Sequence, residues 1–393
     1  MSAPLTWSLR SAHALLRTAA RLSFRPAKLH LVVESTAALT IEEVFFRMSV
    51  LKSWPVVLLA GLLLSACAVP APEVVREVEV SAELGSLVVY SGRSETLVAA
   101  LIEQFAEVTG IEVEVRYGKT AELAATLLEE GANSPADVFL AQEPGGIEAV
   151  AEAGMLAPLP DEILNQVDSR FRSPDGLWVG ISGRARVIVY NTDKVSPEDL
   201  PDDIWDFTDP KWKSRIGWPP TNGSFQTMVT SMREVWGEEK TREWLEGIQA
   251  NDPQVYEKNT PTVAAVAAGE VDVGFVNHYY LYRFIAAEGE DFRARNYFLP
   301  GGGPGSLVMV AGAGRVATGP NEANALKFIE FMLSTVAQQY FAGQTFEYPL
   351  VEGVRTHREL TPLGELNAID INLADLADLQ GTVQLLSDVG ALP

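Results

Sequence analysis

Two adjacent tyrosines at the end of an apolar run are the most chemically pointed feature of this sequence. Val271-Asp272-Val273-Gly274-Phe275-Val276 reads as a strand, and it delivers the chain to Asn277-His278-Tyr279-Tyr280-Leu281-Tyr282. At a strand-to-helix junction the backbone has not settled into helical spacing, so neighbouring side chains can reach one cleft. A free phenol ionises at about pH 10. A hard, highly charged cation lowers that value and makes phenolate an anionic oxygen ligand. Ferric iron suits this chemistry. Aromatic packing and a sugar-stacking surface are the competing readings, and composition alone favours them.

Two further segments carry usable polar groups. Ala136-Asp137-Val138-Phe139-Leu140-Ala141 reads as a strand that ends in Gln142 and Glu143. Glu143 has the chemistry to complete a metal shell, or it is a solvated loop acid. Thr221-Asn222-Gly223-Ser224-Phe225 opens a helix, whose first N–H groups and Ser224 hydroxyl form a natural anion cradle. A plain N-cap explains the same residues.

Signs of catalysis are sparse. The chain has four histidines, His13, His30, His278 and His357, two of them in a segment expected to be removed. That leaves little material for a His-rich zinc site. No nucleophile elbow or Walker-type loop is present. The balance leans toward binding rather than catalysis.

The 393 residues are 47% hydrophobic and 21% charged, an ordinary globular composition. A net charge of −22 repels phosphate backbones, so nucleic acid is not an expected partner. The single cysteine, Cys67, follows Met48-Ser49-Val50-Leu51-Lys52 and an apolar run ending in Leu64-Ser65-Ala66. A short charged start, an apolar stretch and small residues make a secretory signal peptide. Leu64-Ser65-Ala66-Cys67 is similar to the lipobox of bacterial lipoproteins, in which the cysteine becomes the lipidated N-terminus; a buried core cysteine is the alternative. Residues 1–47 are read as an over-extended start or an unstructured extension, 48–66 as the signal peptide, and 67–85, with Pro70 and Pro72, as a tether.

The elements that must position these groups alternate. Leu87-Val88-Val89-Tyr90 is a short strand, and Leu97, Ala100, Leu101 and Phe105 then have helical spacing. Ile111–Val115 alternates as a strand, a helix around Leu123–Leu128 follows, and the strand to Ala141 comes next. Helices are expected near 224–236 and 240–249, from Thr260-Pro261 to Gly269, and at Ala323–Leu333, with a strand at Leu307–Val310. This β-α-β-α-β order predicts an α/β fold, its sheet mostly parallel and covered by helices on both faces. In such sheets ligands bind beyond the carboxyl ends of strands. Loops 91–95, 142–145 and 277–280 leave such ends.

Taken together these segments resemble the ferric-iron-binding proteins of bacterial iron ABC importers. The resemblance runs in order from Leu87 to Val354. It includes Val-Val-Tyr-Ser-Gly-Arg at 88–93, Pro-Ala-Asp-Val-Phe at 135–139 and Ser-Gly-Arg-Ala-Arg-Val-Ile-Val-Tyr at 182–190. Asp-Pro-Lys-Trp-Lys at 209–213, Val-Tyr-Glu-Lys-Asn at 255–259, Asn-His-Tyr-Tyr-Leu-Tyr at 277–282 and Glu-Tyr-Pro-Leu at 347–350 continue it.

The resemblance implies a two-lobed, hinged periplasmic-binding-protein fold with ligand in the cleft, and no enzymatic activity. It casts Tyr279 and Tyr280 as Fe³⁺ ligands and places the family's acidic ligand at Gln142 or Glu143; a carboxylate favours Glu143. It places Asn222, Gly223, Ser224, Asn259 and Asn277 around a synergistic anion, phosphate or carbonate, assisted by Arg184 or Arg186. Many members carry His after the first strand. This chain has Ser94-Glu95 there, so Glu95 is the substitute oxygen ligand, or water and anion fill the place. One lobe is expected from 86–183 with about 311–349, the other from 184–310 with about 350–393. The implied partners are an ABC permease and its ATPase, met by a monomer anchored to the membrane through Cys67 and held outside the cytoplasm. The rival functions are the same fold binding an oxyanion, phosphonate or polyamine, a ligand sensor, and a lipid-anchored envelope enzyme.

Overall fold

The computed structural model describes residues 85–392. The extension, the signal peptide, Cys67 and nearly all of the tether lie outside them. The chain opens with β1 (Ser86–Ser91), α1 (Glu95–Thr109), β2 (Glu112–Tyr117), α2 (Thr120–Glu130), β3 (Val138–Ala141) and α3 (Pro144–Glu152). Then come β4 (Leu156–Ala157), α4 (Asp161–Leu164), the long β5 (Val179–Asn191), β6 (Ile216–Trp218), α5 (Gly223–Trp236), α6 (Glu238–Ala250), β7 (Gln254–Val255) and α7 (Asn259–Ala268). β8 (Val273–Asn277), α8 (Tyr279–Glu288), β9 (Ala294–Tyr297), β10 (Val308–Val316), α9 (Glu322–Leu333), α10 (Thr335–Gln344) and α11 (Leu379–Asp388) complete it.

The strands run in the order β2-β1-β3-β10-β5-β8-β6-β7, with β4 also on β10 and β9 on β5. Outer strands are parallel: β1 with β2 and β3, and β6 with β7 and β8. The long central strands β10 and β5 are antiparallel to each other and to β3 and β8.

Side-chain alternation along β5 divides the interior. Val179, Ile181 and Ala185 belong to a first core with α1, α2, α3 and α9. Beyond Arg186, Ile188 and Tyr190 turn into a second core with α5, α6 and α11, while Val187 and Val189 turn into a third with α7 and α8. A strand presents successive residues to opposite faces, so these four side chains serve both. β5 therefore passes from one packed body into another between Ala185 and Val187.

Local rules account for the helices. α1 buries Leu97, Val98, Leu101, Ile102 and Phe105 on one stripe and ends at Gly110, whose φ of 71° is the left-handed conformation that glycine adopts freely. Phe105 sits between Phe328 and Phe331 of α9, at 5.1 and 5.5 Å between ring centroids. Truncating such a buried ring costs about 3–5 kcal/mol. α7 starts at Asn259, one residue before the expected Thr260.

The expected division of the C-terminal residues differs from the packing. Leu350, Leu360, Leu373 and Leu376 are part of the first core; Leu385, Leu386 and Ala391 join the second, with Val389 and Leu392 packed against it. Residues 350–376 have no periodicity from which this could be read. Among the described residues, no helix is long and apolar enough to cross a membrane.

Candidate functional site

β5 and β8 pair with Arg186 opposite Asn277, so the last residue of β8 lies beside the point where β5 changes cores. The chain turns at once into α8, and Tyr279 and Tyr280 are its first two residues. Their rings stack at 4.2 Å between centroids and 27° between planes. Tyr279 is wholly buried, and its hydroxyl has no hydrogen-bond partner. Burial pushes that phenol well above the ordinary value of 10; the neighbouring Tyr280 and the Glu347 carboxylate add to the rise, and Arg184 opposes it.

His278, between Asn277 and Tyr279, is held by backbone on both sides. Its Nδ1 accepts from the Ala185 amide at 3.0 Å, so Nε2 carries the proton and donates to the Phe346 carbonyl at 2.8 Å. Both ring nitrogens are occupied by backbone. Burial lowers its pKa from 6.5 to about 4, although these hydrogen bonds and Glu347 work the other way.

Three buried arginines surround the phenols. Arg93 grips Glu347 through both nitrogens, Nη1···Oε1 2.8 Å and Nη2···Oε2 2.6 Å. The positive charge of Arg93 is felt by both tyrosines. Arg184 donates Nη2 to the Gln142 and Val310 carbonyls, the latter at 3.2 Å, and its Nε and Nη1 have no partner. Arg186 donates Nη1 to Asn277 Oδ1 at 3.0 Å, with Nε and Nη2 unpartnered. Burial pulls Arg186 down to about 9, further depressed by Arg184 and countered by the phenols. Buried N–H groups without partners are costly, and a negatively charged group in reach would satisfy them.

The residues expected around an anion lie close together. Asn222 caps α5, its Oδ1 accepting from the Ser224 amide at 3.1 Å and from Asn259 Nδ2 at 3.2 Å. Asn277 Nδ2 donates to Ser224 Oγ at 3.0 Å, which ties the end of β8 to the first turn of α5. Asn259 Oδ1 is buried without a partner. Glu143 lies against this turn: a Cβ at Gly223 would stand 2.9 Å from Glu143 Oε1. Burial raises the Glu143 pKa, held back by Arg184, the Thr120 hydroxyl and Arg93.

The structure thus brings Tyr279, Tyr280, Glu143, Arg184, Asn222, Gly223, Ser224, Asn259 and Asn277 into one neighbourhood. Glu95 is not among them: it stands exposed on the first turn of α1, where its charge acts on Tyr117. Among the described residues there is no group of three or more His, Cys, Asp or Glu able to hold a metal ion. Arg93 and Glu347 went unassigned in the sequence reading; both stand in the quoted segments 88–93 and 347–350, but no local pattern joins residues so far apart.

Residues 133–364 match the model of the family described as bacterial extracellular solute-binding protein. The major ferric iron-binding protein of Neisseria meningitidis serogroup B is 32% identical over 312 residues, 78% of this chain and 93% of that protein. Iron uptake protein A1 of Synechocystis is 36% identical over 310 residues, 77% of this chain and 86% of that protein. Among solved structures, iron-bound HitA from Pseudomonas aeruginosa is 35% identical with a TM-score of 0.74, covering 78% of this chain and 99% of that one. The Trichodesmium protein in complex with iron and citrate is 33% identical with a TM-score of 0.70, covering 78% and 99%. These are two-lobed periplasmic binding proteins, and the two packed bodies joined through β5 are that architecture. The chain belongs to the family of bacterial extracellular solute-binding proteins.

Proposed function

We propose that this protein captures ferric iron outside the cytoplasm and delivers it to an ABC importer. One observation carries the reading: two stacked phenols, one of them buried with its hydroxyl unpartnered, stand in a site lined by carboxylate and cation. Removing a phenol from water without a hydrogen bond is unfavourable, and a trivalent cation that displaces the proton repays it. Glu143 adds a carboxylate oxygen. The cradle of Asn222, Gly223, Ser224, Asn259, Asn277 and Arg184 supplies a further anionic oxygen, from phosphate, from carbonate, or from a carboxylate of the chain. One relative named for ferric iron and another named for iron uptake support this choice.

In this reading the lobes open by bending at β5, close on the ion, and the closed form docks on a permease driven by its ATPase. A lipid on Cys67 would hold a monomer at the membrane. No step needs a catalytic group.

The test is a visible spectrum of the purified protein before and after ferric citrate. Tyrosinate bound to Fe³⁺ gives a charge-transfer band. Its appearance in the parent, and its absence from Tyr279→Phe and Tyr280→Phe, supports the reading. Iron should also be lost in mild acid, because protons compete for the phenolates. A colourless protein favours the second reading, an oxyanion or phosphonate held by Arg184 and Arg186, whose unpartnered N–H groups are its support.

A further inference from the structure

We infer that the carboxylate of Glu143 is itself the anion of the α5 cradle, so that the protein loads iron without a free synergistic anion. The inference rests on the iron reading above and concerns what completes the same site.

Glu143 is the N-cap residue of α3, with φ −123° and ψ 144°, yet its side chain makes no capping hydrogen bond to that helix. The carboxylate, which also meets the Thr120 hydroxyl, extends instead to the first turn of α5. It lies on Gly223, the first residue of the 14-residue helix α5, with Oε1 2.9 Å and Cδ 3.2 Å from the place a Cβ would take. A larger residue at this position would turn the end of the Glu143 side chain away from the helix. Helix N-termini favour negative charge, and a carboxylate at the start of both α3 and α5 lies in two such fields.

The surrounding cations fit a resident carboxylate. Arg184 donates to the backbone carbonyl of Gln142, the residue before Glu143, and its charge acts on the Glu143 side chain, as does that of Arg93. An exogenous phosphate or carbonate at Gly223 would stand against this carboxylate, and like charges held close disfavour each other. A carboxylate has two oxygens with several lone-pair sites, so one group can serve helix and ion together.

The experiment strips the protein of iron and transfers it to buffer free of carbonate and phosphate. Ferrous chloride is added and oxidised in CO₂-free air, and the visible band and iron affinity are measured with and without added phosphate or bicarbonate. The expected result is the same band and affinity in both, with neither anion retained. Glu143→Gln should lose about tenfold or more in affinity in anion-free buffer, the scale of one lost charge-assisted contact, and regain it when phosphate is supplied. A parent band that forms only with phosphate or carbonate, or one that retains an anion for each iron, overturns the inference and leaves iron binding intact. No band in any buffer overturns the iron reading and this inference with it. Should Glu143→Gln fail to fold, the parent titration still decides.

Discussion

Arg93 and Glu347, 254 positions apart, form a two-pronged ion pair with both side chains at 0% exposure. The pair joins the end of β1 to the segment that follows α10. Burial raises the Glu347 pKa, but Arg93, Arg184 and Thr345 together bring it below the ordinary carboxylate value. Glu347→Gln leaves Arg93 charged and unpaired in a dry site, so it should destabilise the iron-free protein by about 3–5 kcal/mol. Replacing both residues by leucine should cost much less, because no lone charge is left behind. Urea denaturation of the single and double variants checks both.

Tyr279→Phe separates stability from function. The hydroxyl it removes is buried and makes no hydrogen bond, so its loss should leave the iron-free protein as stable or raise stability by about 1 kcal/mol. The same change should abolish the charge-transfer band. Thermal melting beside the ferric titration reads the two effects, and a large loss of stability would mean that the hydroxyl has a structural partner.

Gly223→Ala should also push stability and binding apart. Alanine is the better helix former by about 0.5–1 kcal/mol, which favours any state in which the lobes are open. In this structure the new Cβ meets Glu143 Oε1 at 2.9 Å, so the carboxylate must turn away from the first turn of α5. Unchanged or raised melting of the iron-free protein and weaker iron binding, measured by thermal melting and ferric titration, are the expected results.

His278 sets an acid limit on the fold. In the folded chain its pKa lies near 4, against 6.5 for a free imidazole. Below 6.5 the unfolded chain takes a proton that the folded chain refuses, so stability is full above that pH and falls as pH drops toward 4. The difference corresponds to about 3 kcal/mol. Denaturation between pH 7 and 4, a range of about three units chosen to span both values, should show this slope in the parent and lack that share of it in His278→Gln.

The sequence by itself determined the alternation of strands and helices, the junction that presents Tyr279 and Tyr280, and the cap that Asn222 places on α5. These depend on interactions a few residues long, periodic burial and first-turn hydrogen bonding, and such patterns are legible in one dimension. The tertiary structure decided what surrounds them. It locked His278 between Ala185 and Phe346, turned Glu95 outward toward Tyr117, drew residues 350–376 into the first core, and set Glu143 on Gly223 and Arg93 on Glu347. Each outcome joins residues brought together only by packing. In a buried site the balance of desolvation against partner charge then fixes which of them stay charged, which are neutral and which remain free for a guest.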